Sequence, residues 1–177
     1  MMAPIFIVTK PLEILTRDVF TVRVVKYKTK LTEDKKVTLE KEFSVNNPNV
    51  DRIVRSPDNV AYFARQCLKL HEQSEEYLYM ICMNTKNAIT SVFELSHGNV
   101  NSSIFSVREM FQKALLANAV NIILLHNHPS GDCTPSRQDV DVTKRAVEAG
   151  ELLGVQVLDH IIIGDVLYSS LKEKGYI

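Results

Sequence analysis

The sequence predicts an α/β fold, in which helices flank a mixed β-sheet and a β-hairpin extends it at the N-terminal end. Short apolar runs typical of buried strands alternate with segments whose apolar residues follow helical spacing. Pro, Gly and capping residues mark the borders between these segments. The 177 residues are 45% hydrophobic and 24% charged, a composition typical of one globular domain with a well-buried core.

The sequence of the first 50 residues predicts an irregular arm followed by strands, and no helix. Residues 1–15 predict an irregular arm that is interrupted by two prolines. Residues 18–45 alternate apolar and polar side chains on either side of the segment TEDKK, as the two strands of a hairpin do. The loop-like segment NNPNVDRIVRSPDN follows. We therefore divide the chain into a strand or hairpin extension over residues 1–50 and a main domain over residues 51–177.

The sequence of the main domain predicts helices and strands in the order α-β-β-α-β-α-β-β. Ser56 and Pro57 are a typical N-cap and first helical residue, and apolar residues at helical spacing continue this helix to residue 73. The later elements are a strand over 77–84, its hairpin partner over 88–98, a helix from a Ser106–Glu109 capping box to about 118, a strand over 120–125, a helix over about 136–152 ended by Gly154, a strand over 155–163 and a short tail pairing around LYSS. This order favours a mixed sheet with helices packed on it.

The charge balance weakens one class of partner. Lys and Arg together number 21, Asp and Glu also number 21, and the formal net charge is zero. Proteins that bind nucleic acid usually carry an excess of Lys and Arg. A DNA partner is therefore not supported by net charge, although a local basic patch would still allow it.

Cysteine usage and apolar runs indicate the compartment. The sparse cysteines Cys67, Cys82 and Cys133 form no CxxC pair and are typical of free thiols in a reducing environment. The N-terminal residues lack a basic segment before an apolar run, so we expect no signal peptide. The apolar stretches are too short to span a bilayer. We expect a soluble, cytoplasmic protein.

The segment LLHNHPSGDCTPSRQD, residues 124–139, carries the candidate chemistry. His126 and His128 end a predicted strand, and side chains two residues apart on a strand point to the same face. Asp139 lies in the first turn of the next helix, so the intervening loop can fold its carboxylate towards the imidazoles. Two imidazoles and one carboxylate leave a fourth tetrahedral position open, which is the composition of a catalytic zinc site. Cys133 is a conceivable thiolate ligand in the same loop.

The same residues also have an ordinary structural interpretation. Ser136 and Asp139 fit a capping box, which would simply start the helix. A histidine at a strand end is most often a hydrogen-bonded polar group without a ligand. The joint occurrence of two histidines, a Pro-Ser-Gly turn and an acid at the helix start favours a metal site, but the residues alone leave both interpretations open.

This segment resembles a known family. HNHPSGDCTPSRQD has the JAMM signature of the zinc-dependent MPN (JAB) metallopeptidases, which is His-x-His-Pro, six residues and Ser-x-x-Asp. With the flanking segments VREMFQKALLANAVNIILL and VLDHIIIG, it resembles the RadC-like branch over about residues 57–177. The resemblance implies a three-layer fold like that of cytidine deaminases. RadC proteins often carry a helix-hairpin-helix region before this domain. Residues 1–50 predict strands instead, which removes the usual sequence argument for DNA contact.

The resemblance also implies roles for individual residues. His126, His128 and Asp139 would hold one Zn²⁺, with a water molecule in the fourth position. Ser136 matches the motif serine, whose hydroxyl helps to stabilise the oxyanion in related peptidases. These peptidases use an upstream glutamate as general base, at the end of the first helix and directly before a buried strand. Glu76 matches that place.

Three other glutamates are candidates for the general base. Glu94, on the following strand, ranks second and Glu75 ranks third, whereas Glu109 belongs to a predicted capping box. Glu76 itself also fits a solvated charge at a helix end.

The resemblance predicts a zinc metallopeptidase that hydrolyses a peptide or isopeptide bond in a peptide or protein substrate. The alternative is a DNA-repair or mobile-element accessory protein of the RadC type, which acts on or near DNA without peptidase turnover. A zinc deaminase is disfavoured, because it needs His-x-Glu with Pro-Cys-x-x-Cys, and Asn127 lies between the two histidines here. Asp159 and His160 are candidates to orient the ligands, with a core histidine as the rival interpretation of His160.

Overall fold

The computed structural model describes residues 22–47, 49–98 and 106–177. Within these residues, seven strands form one sheet and three α-helices pack on it. The elements in chain order are β1 (Val22–Leu31), β2 (Val37–Asn47), α1 (Pro57–Cys67), β3 (Tyr77–Met83), β4 (Ile89–His97), α2 (Val107–Leu116), β5 (Asn121–Asn127), α3 (Arg137–Leu153), β6 (Gln156–Ile163) and β7 (Tyr168–Ser170). The predicted α/β class, with a hairpin at the N-terminal side, is confirmed.

The sheet is mixed, and its strand order is β2-β1-β4-β3-β5-β6-β7. β3 pairs antiparallel with both of its neighbours, β4 and β5. β5 and β6 run parallel, and β7 returns antiparallel to β6. A parallel pair needs a crossover connection, and α3 supplies it. The histidine-bearing strand β5 is therefore paired on both edges, between β3 and β6.

Two apolar cores cover the two faces of the sheet. α1 packs on the face that includes Ile81 and Leu125, whereas α2 and α3 pack on the face that includes Met80 and Leu124. Successive side chains of a strand point to opposite faces, so β3 and β5 are covered on both sides. Double coverage explains why their sequences are continuously apolar instead of alternating. The prediction of buried strands at these positions is confirmed.

The predicted hairpin lies at one edge of this sheet. β1 and β2 pair antiparallel, and β1 also pairs parallel with β4, where Lys26 lies opposite Val92. The predicted arm over residues 1–15, and the start of the predicted hairpin up to residue 21, lie outside the described residues. The division of the chain at residue 50 stays a prediction.

Lys26 joins the hairpin to the main part of the sheet. Its ammonium lies 2.8 Å from Glu94 Oε2 and 3.2 Å from Glu42 Oε2. It also lies over the rings of Phe43 and Tyr79, 5.5 and 5.3 Å from their centroids. Burial alone would lower the pKa of Lys26, but the bonds to Glu94 and Glu42 outweigh it and raise the pKa. Lys26 is therefore held as a cation between two carboxylates.

The first helix is shorter than predicted. We expected a helix to residue 73, but α1 ends at Cys67, and a separate 3₁₀ turn follows over Leu70–Glu72. Lys69 has a left-handed backbone conformation (φ 54°), which breaks the helical path and lets the fully buried Leu70 reach the core. Glu76 consequently lies between this turn and β3, not at the end of a helix.

The other helix borders follow the local signals in the sequence. Gly154 ends α3 in the left-handed conformation (φ 68°), as predicted. β7 pairs with β6 and confirms the tail pairing around LYSS. Each of the three N-cap serines accepts a hydrogen bond from a backbone N–H in the first turn of its helix, namely Ser56 from Asn59, Ser106 from Glu109 and Ser136 from Asp139.

Cys67, Cys82 and Cys133 are all free thiols. Burial raises the pKa of Cys67 to about 11 and that of Cys82 to about 12, so these two thiols are protonated and unreactive near neutral pH. Among the described residues, no helix is both long enough and apolar enough to cross a bilayer.

The turn between β6 and β7 packs tightly against the loop that follows β5. Gly131 O accepts a hydrogen bond from Asp165 N, and Arg65 of α1 donates to three main-chain carbonyls of the turn. A Cβ on Gly164 would overlap with the carbonyl oxygen of Gly131, so only glycine permits this approach. The loop after the histidines is thereby held against a fixed support.

We expect Gly164→Ala to lower the free energy of unfolding by about 3 kcal/mol, because the added methyl overlaps with a fixed backbone carbonyl. Gly175→Ala is the control. Gly175 has φ 74° but open space around an added Cβ, so only a conformational cost of about 1 kcal/mol applies. Urea denaturation of both variants measures the difference, and equal losses would contradict the steric explanation.

Candidate metal centre

Strand β5 brings two imidazoles to one end of the sheet. The rings of His126 and His128 lie edge to face with their centroids 4.8 Å apart. His126 is still part of the sheet, where it pairs with Leu78 of β3 and Ile162 of β6, and it is buried. His128 follows β5, and its backbone N–H donates to Ile163 O. The spacing of two residues thus places both rings at the start of α3.

The carboxylate of Asp139, in the first turn of α3, contacts both imidazoles. Its Oδ1 lies 3.1 Å from His126 Nδ1, and its Oδ2 lies 3.5 Å from His128 Nε2. Ligand atoms that are each about 2.1 Å from a tetrahedral zinc ion lie about 3.4 Å from one another. The observed separations are those of neighbouring ligands around such an ion. The loop after β5 folds the carboxylate back onto the imidazoles, as expected.

Asp139 is buried, yet it is held in its ionised form. Burial alone would raise the pKa of Asp139, but the contacts with the imidazoles of His126 and His128 and the hydrogen bond from Ser136 outweigh it and hold the pKa well below its usual range. The same contact with Asp139 is the main reason why the pKa of His128 is raised. The centre therefore presents a buried anionic oxygen, and a buried charge is most stable beside a cation.

Ser136 and Asp139 form a complete capping box at the start of α3. Ser136 Oγ accepts from Asp139 N at 3.2 Å and lies 2.6 Å from Asp139 Oδ2, to which it donates. The backbone N–H of Ser136 donates to the same Oδ2 at 2.8 Å. The structural interpretation from the sequence is thus correct, and the same box also fixes the carboxylate that faces the imidazoles.

The ring nitrogens of the histidines suit a metal ion. His128 Nδ1 lies 2.7 Å from the main-chain oxygen of Asp132, which can only accept, so Nδ1 carries the proton. In the neutral ring, Nε2 then keeps its lone pair on the side of Asp139. His126 Nδ1 is buried and has no hydrogen-bond partner. A bound cation would satisfy this nitrogen together with the carboxylate beside it, so the donor set fits a zinc ion.

Glu76 lies at the same centre. One of its carboxylate oxygens and one ring nitrogen each of His126 and His128 all lie within 4.8 Å of one another. These three residues could hold a metal ion, and Asp139 contacts the same two histidines. Glu76 is partly exposed.

The other candidate glutamates have different surroundings. Glu94 accepts from Lys26 Nζ at 2.8 Å and lies 2.7 Å from His97 Nδ1. Burial would raise the pKa of Glu94, but the bonds to Lys26 and His97 lower it. Glu75 is exposed, as is Glu109 in the first turn of α2. The geometry therefore favours Glu76 as the glutamate of the centre.

A third histidine, His160, packs next to the centre. It is fully buried, and its Nδ1 lies 2.7 Å from Thr143 Oγ1, whose hydroxyl donates to the main-chain oxygen of Asp139 at 2.5 Å. Its ring stacks on that of His126, with centroids 5.9 Å apart. Burial lowers the pKa of His160 to about 3, so the ring is neutral. His160 thus contacts one imidazole directly and the start of α3 through Thr143.

Two residues that the sequence associated with the centre make other contacts. Asp159 accepts from Ser170 Oγ at 2.6 Å and from Lys172 N at 3.1 Å, so its carboxylate ties down the C-terminal turn. Cys133 Sγ accepts from Ser169 Oγ at 3.5 Å. None of these three contacts involves His126, His128 or Asp139.

Asn127 is the residue whose role the sequence analysis missed. There it served only to disfavour a deaminase, whereas in the structure its amide bonds to the main chain on both sides of Glu76. A buried polar residue between two candidate ligands, on the opposite face of the strand, is the sequence signal that could have indicated it.

Comparison with known proteins agrees with this architecture. A sequence model of the RadC-like JAB domain matches residues 54–176. The chain is similar to three UPF0758 proteins, which are those of Caldanaerobacter subterraneus subsp. tengcongensis (50% identity over 123 residues, 70% of this chain and 52% of the relative), Geobacillus sp. strain WCH70 (45% over 125 residues, 71% and 54%) and Bacillus cereus strain G9842 (47% over 124 residues, 70% and 54%). The chain spans about half the length of the curated relatives it matches. Their names state neither a peptidase activity nor a role in DNA repair.

Proposed function

The chain belongs to the RadC-like JAB domain family, and on that premise we propose that it is a zinc-dependent metallopeptidase that hydrolyses a peptide or isopeptide bond. The observation that carries the proposal is the contact of one ionised carboxylate, Asp139, with both imidazoles at separations typical of zinc ligands. A second carboxylate, that of Glu76, lies beside the same imidazoles.

His126, His128 and Asp139 would hold one Zn²⁺. Imidazole nitrogens and a carboxylate oxygen are among the donors that zinc takes, and three protein ligands leave a position for the reactants. The hydrogen bond that His128 Nδ1 donates to the main-chain oxygen of Asp132, and the one that Ser136 Oγ donates to Asp139, would keep these ligands in place. When bound, the ion supplies a Lewis acid that lowers the pKa of water from 15.7 to about 7.

Glu76 would act as the general base. Its carboxylate would accept the proton of the attacking water and pass it to the leaving amine nitrogen. A carboxylate within 4.8 Å of the histidine nitrogens is close enough to bond to a water molecule between them. Glu76 has no competing ion pair of the kind that occupies Glu94 among the contacts described for these residues.

Ser136 would donate its hydroxyl to the oxyanion that forms on the substrate carbonyl. In this structure the same hydroxyl donates to Asp139 Oδ2. The proposed role therefore requires the hydroxyl to turn away from Asp139 when the substrate is bound, while the backbone N–H of Ser136 keeps its own bond to that oxygen.

The alternative function on or near DNA gains no support from the hairpin. Lys28 and Lys30 of β1 lie 3.1 and 3.2 Å from oxygens of Glu40 on β2. Lys26 is bonded to Glu42 and Glu94. Within the described part of the hairpin, these lysines are paired with carboxylates, so they are not arranged as a basic stripe for phosphates.

We expect His126→Ala and Asp139→Ala to lose the zinc that wild-type protein binds at about one ion per chain, because each variant lacks one of the three proposed donors. Elemental analysis of protein purified with zinc in the buffer measures it. His97→Ala is the matched control, since His97 bonds to Glu94 instead of the centre and its loss should leave the zinc content unchanged. Wild-type protein without zinc would overturn the proposed centre.

Glu76→Gln should retain zinc but lose turnover by about 10²–10⁴-fold, because an amide of the same shape accepts no proton at neutral pH. Turnover would be measured on a mixture of quenched-fluorescent peptides and isopeptides. Glu94→Gln tests the rival and should retain turnover, since Glu94 bonds to Lys26 and His97. The opposite pattern would assign the proton transfer to Glu94.

Ser136→Ala separates the two roles of this serine. As an N-cap it contributes about 1 kcal/mol, as Ser106 does at the cap of α2, and the loss of its bond to Asp139 Oδ2 adds to the cost of Ser136→Ala. A role at the oxyanion adds a loss of about 10²-fold in kcat that Ser106→Ala lacks. Thermal unfolding and turnover of the two variants would be compared. Equal kcat values would leave Ser136 as a helix cap only.

A further inference from the structure

Asn127 lies between the two histidines in the sequence, and its side chain bonds to the backbone on both sides of Glu76. We infer that Asn127 is a positioning residue, which holds Glu76 at the metal centre by bonding to the backbone on both sides of it. The inference rests on the proposed function, since it concerns the placement of the proposed general base. It assigns to Asn127 a role that acts through Glu76 and not through contact with a metal or a substrate.

The amide of Asn127 bonds to the two neighbours of Glu76. Its Oδ1 accepts from the backbone N–H of Tyr77 at 2.7 Å, and its Nδ2 donates to the main-chain oxygen of Glu75 at 3.0 Å. The two partners differ in kind, one a donor and the other an acceptor, so only one orientation of the amide satisfies both. Asn127 is 1% exposed, so water does not compete for these bonds.

The bonds lie where the backbone pairing of β3 with β5 ends. The pairing runs as far as Leu78 opposite His126. Two more residues in the same register would set Glu76 opposite His128. The amide of Asn127 instead takes over the hydrogen bonding to the incoming chain before β3. It therefore spans the place where the two strands separate.

On its other side, β5 stays attached at this level. Asn127 still pairs with Ile163 of β6, and His128 N donates to Ile163 O. The backbone of Asn127 is consequently fixed by β6 while its side chain reaches in the opposite direction towards the chain before β3. A residue held in this way is a rigid anchor for the segment that carries Glu76.

Glu76 needs such an anchor because no helix supports it. α1 ends at Cys67, and the chain reaches β3 through a 3₁₀ turn and the exposed residues Ser74 and Glu75. The main-chain oxygen of Glu76 accepts from Gly98 N at 2.9 Å, which holds the peptide from the side of β4. Asn127 holds it from the side of β5. Together these bonds set the backbone from which the carboxylate reaches the histidines.

An asparagine suits this position better than its near relatives. Aspartate would keep the acceptor for Tyr77 N–H but lose the donor to the Glu75 carbonyl. Leucine would leave both of these backbone groups without a partner, and unpaired buried groups are costly. Alanine would leave a gap and release the segment.

The test is a double-mutant cycle with Co²⁺ alone as the probe. We expect Asn127→Ala to weaken Co²⁺ binding on the order of tenfold, the usual effect of residues that orient a metal site, because the negative charge of Glu76 is no longer held beside it. In the Glu76→Gln background, the same substitution should change the Co²⁺ affinity little. Absorbance titration of the four proteins measures the coupling.

Amide hydrogen exchange of the metal-free protein is the second readout. Asn127→Ala should speed the exchange of Tyr77 N–H relative to neighbouring amides of β3, because its acceptor is lost. Asn127→Ser is the milder variant if the alanine protein does not fold, and we expect the same direction. The matched control is Asn121→Ala. Asn121 lies at the other end of β5 and bonds to Asn87, so its loss should alter neither readout.

The outcomes separate this inference from the function on which it rests. Equal losses of Co²⁺ affinity in both backgrounds, or unchanged exchange at Tyr77, would overturn the role of Asn127 and leave the zinc centre standing. A wild-type protein that binds no Co²⁺ would overturn the proposed function itself and the role of Asn127 with it. Coupling between the two positions together with faster exchange at Tyr77 would support the inference.

Discussion

The buried carboxylate of Asp139 is the contact on which the arrangement of this end of the molecule depends. Its two oxygens face His126 and His128, and one of them also accepts from the backbone and side chain of Ser136. A buried carboxylate is costly unless such partners surround it. The start of α3 and the end of β5 are therefore joined through one charged group, and Thr143 links the same helix turn to His160.

The candidate centre lies at the level of the sheet where the pairing of β3 with β5 ends. β3 pairs with β5 as far as Leu78 and His126, while β6 continues to pair with Asn127. Side chains replace the missing backbone bonds there, since buried N–H and C=O groups require partners. Glu76 lies close to the two imidazoles at this level, and the turn around Gly164 supports the loop beyond His128. A candidate site thus forms where regular pairing stops but the backbone remains anchored.

Ion pairing between β1 and β4 distinguishes Glu94 from Glu76, two carboxylates that are both candidates in the sequence. Glu94 is bonded to Lys26 and His97, and this network attaches the hairpin to β4. Glu76 lies beside His126 and His128 instead. An ion pair holds a carboxylate in its charged form and makes it a poorer proton acceptor. The different surroundings of Glu94 and Glu76 therefore come from the side chains that each one meets in the folded chain.

The sequence by itself determined the α/β class, most element borders and the proximity of His126, His128 and Asp139, because these depend on short-range periodicity, capping and strand geometry. It overestimated α1, since the burial of Leu70 outweighed helical spacing. The family resemblance already ranked Glu76 first among the glutamates, and the structure places it close to the histidines. Only the tertiary structure showed that Glu94 bonds to Lys26 and that the amide of Asn127 bonds to the chain before β3. These contacts join residues far apart in the chain, and strand order and register, which a local pattern does not encode, decide which of them meet.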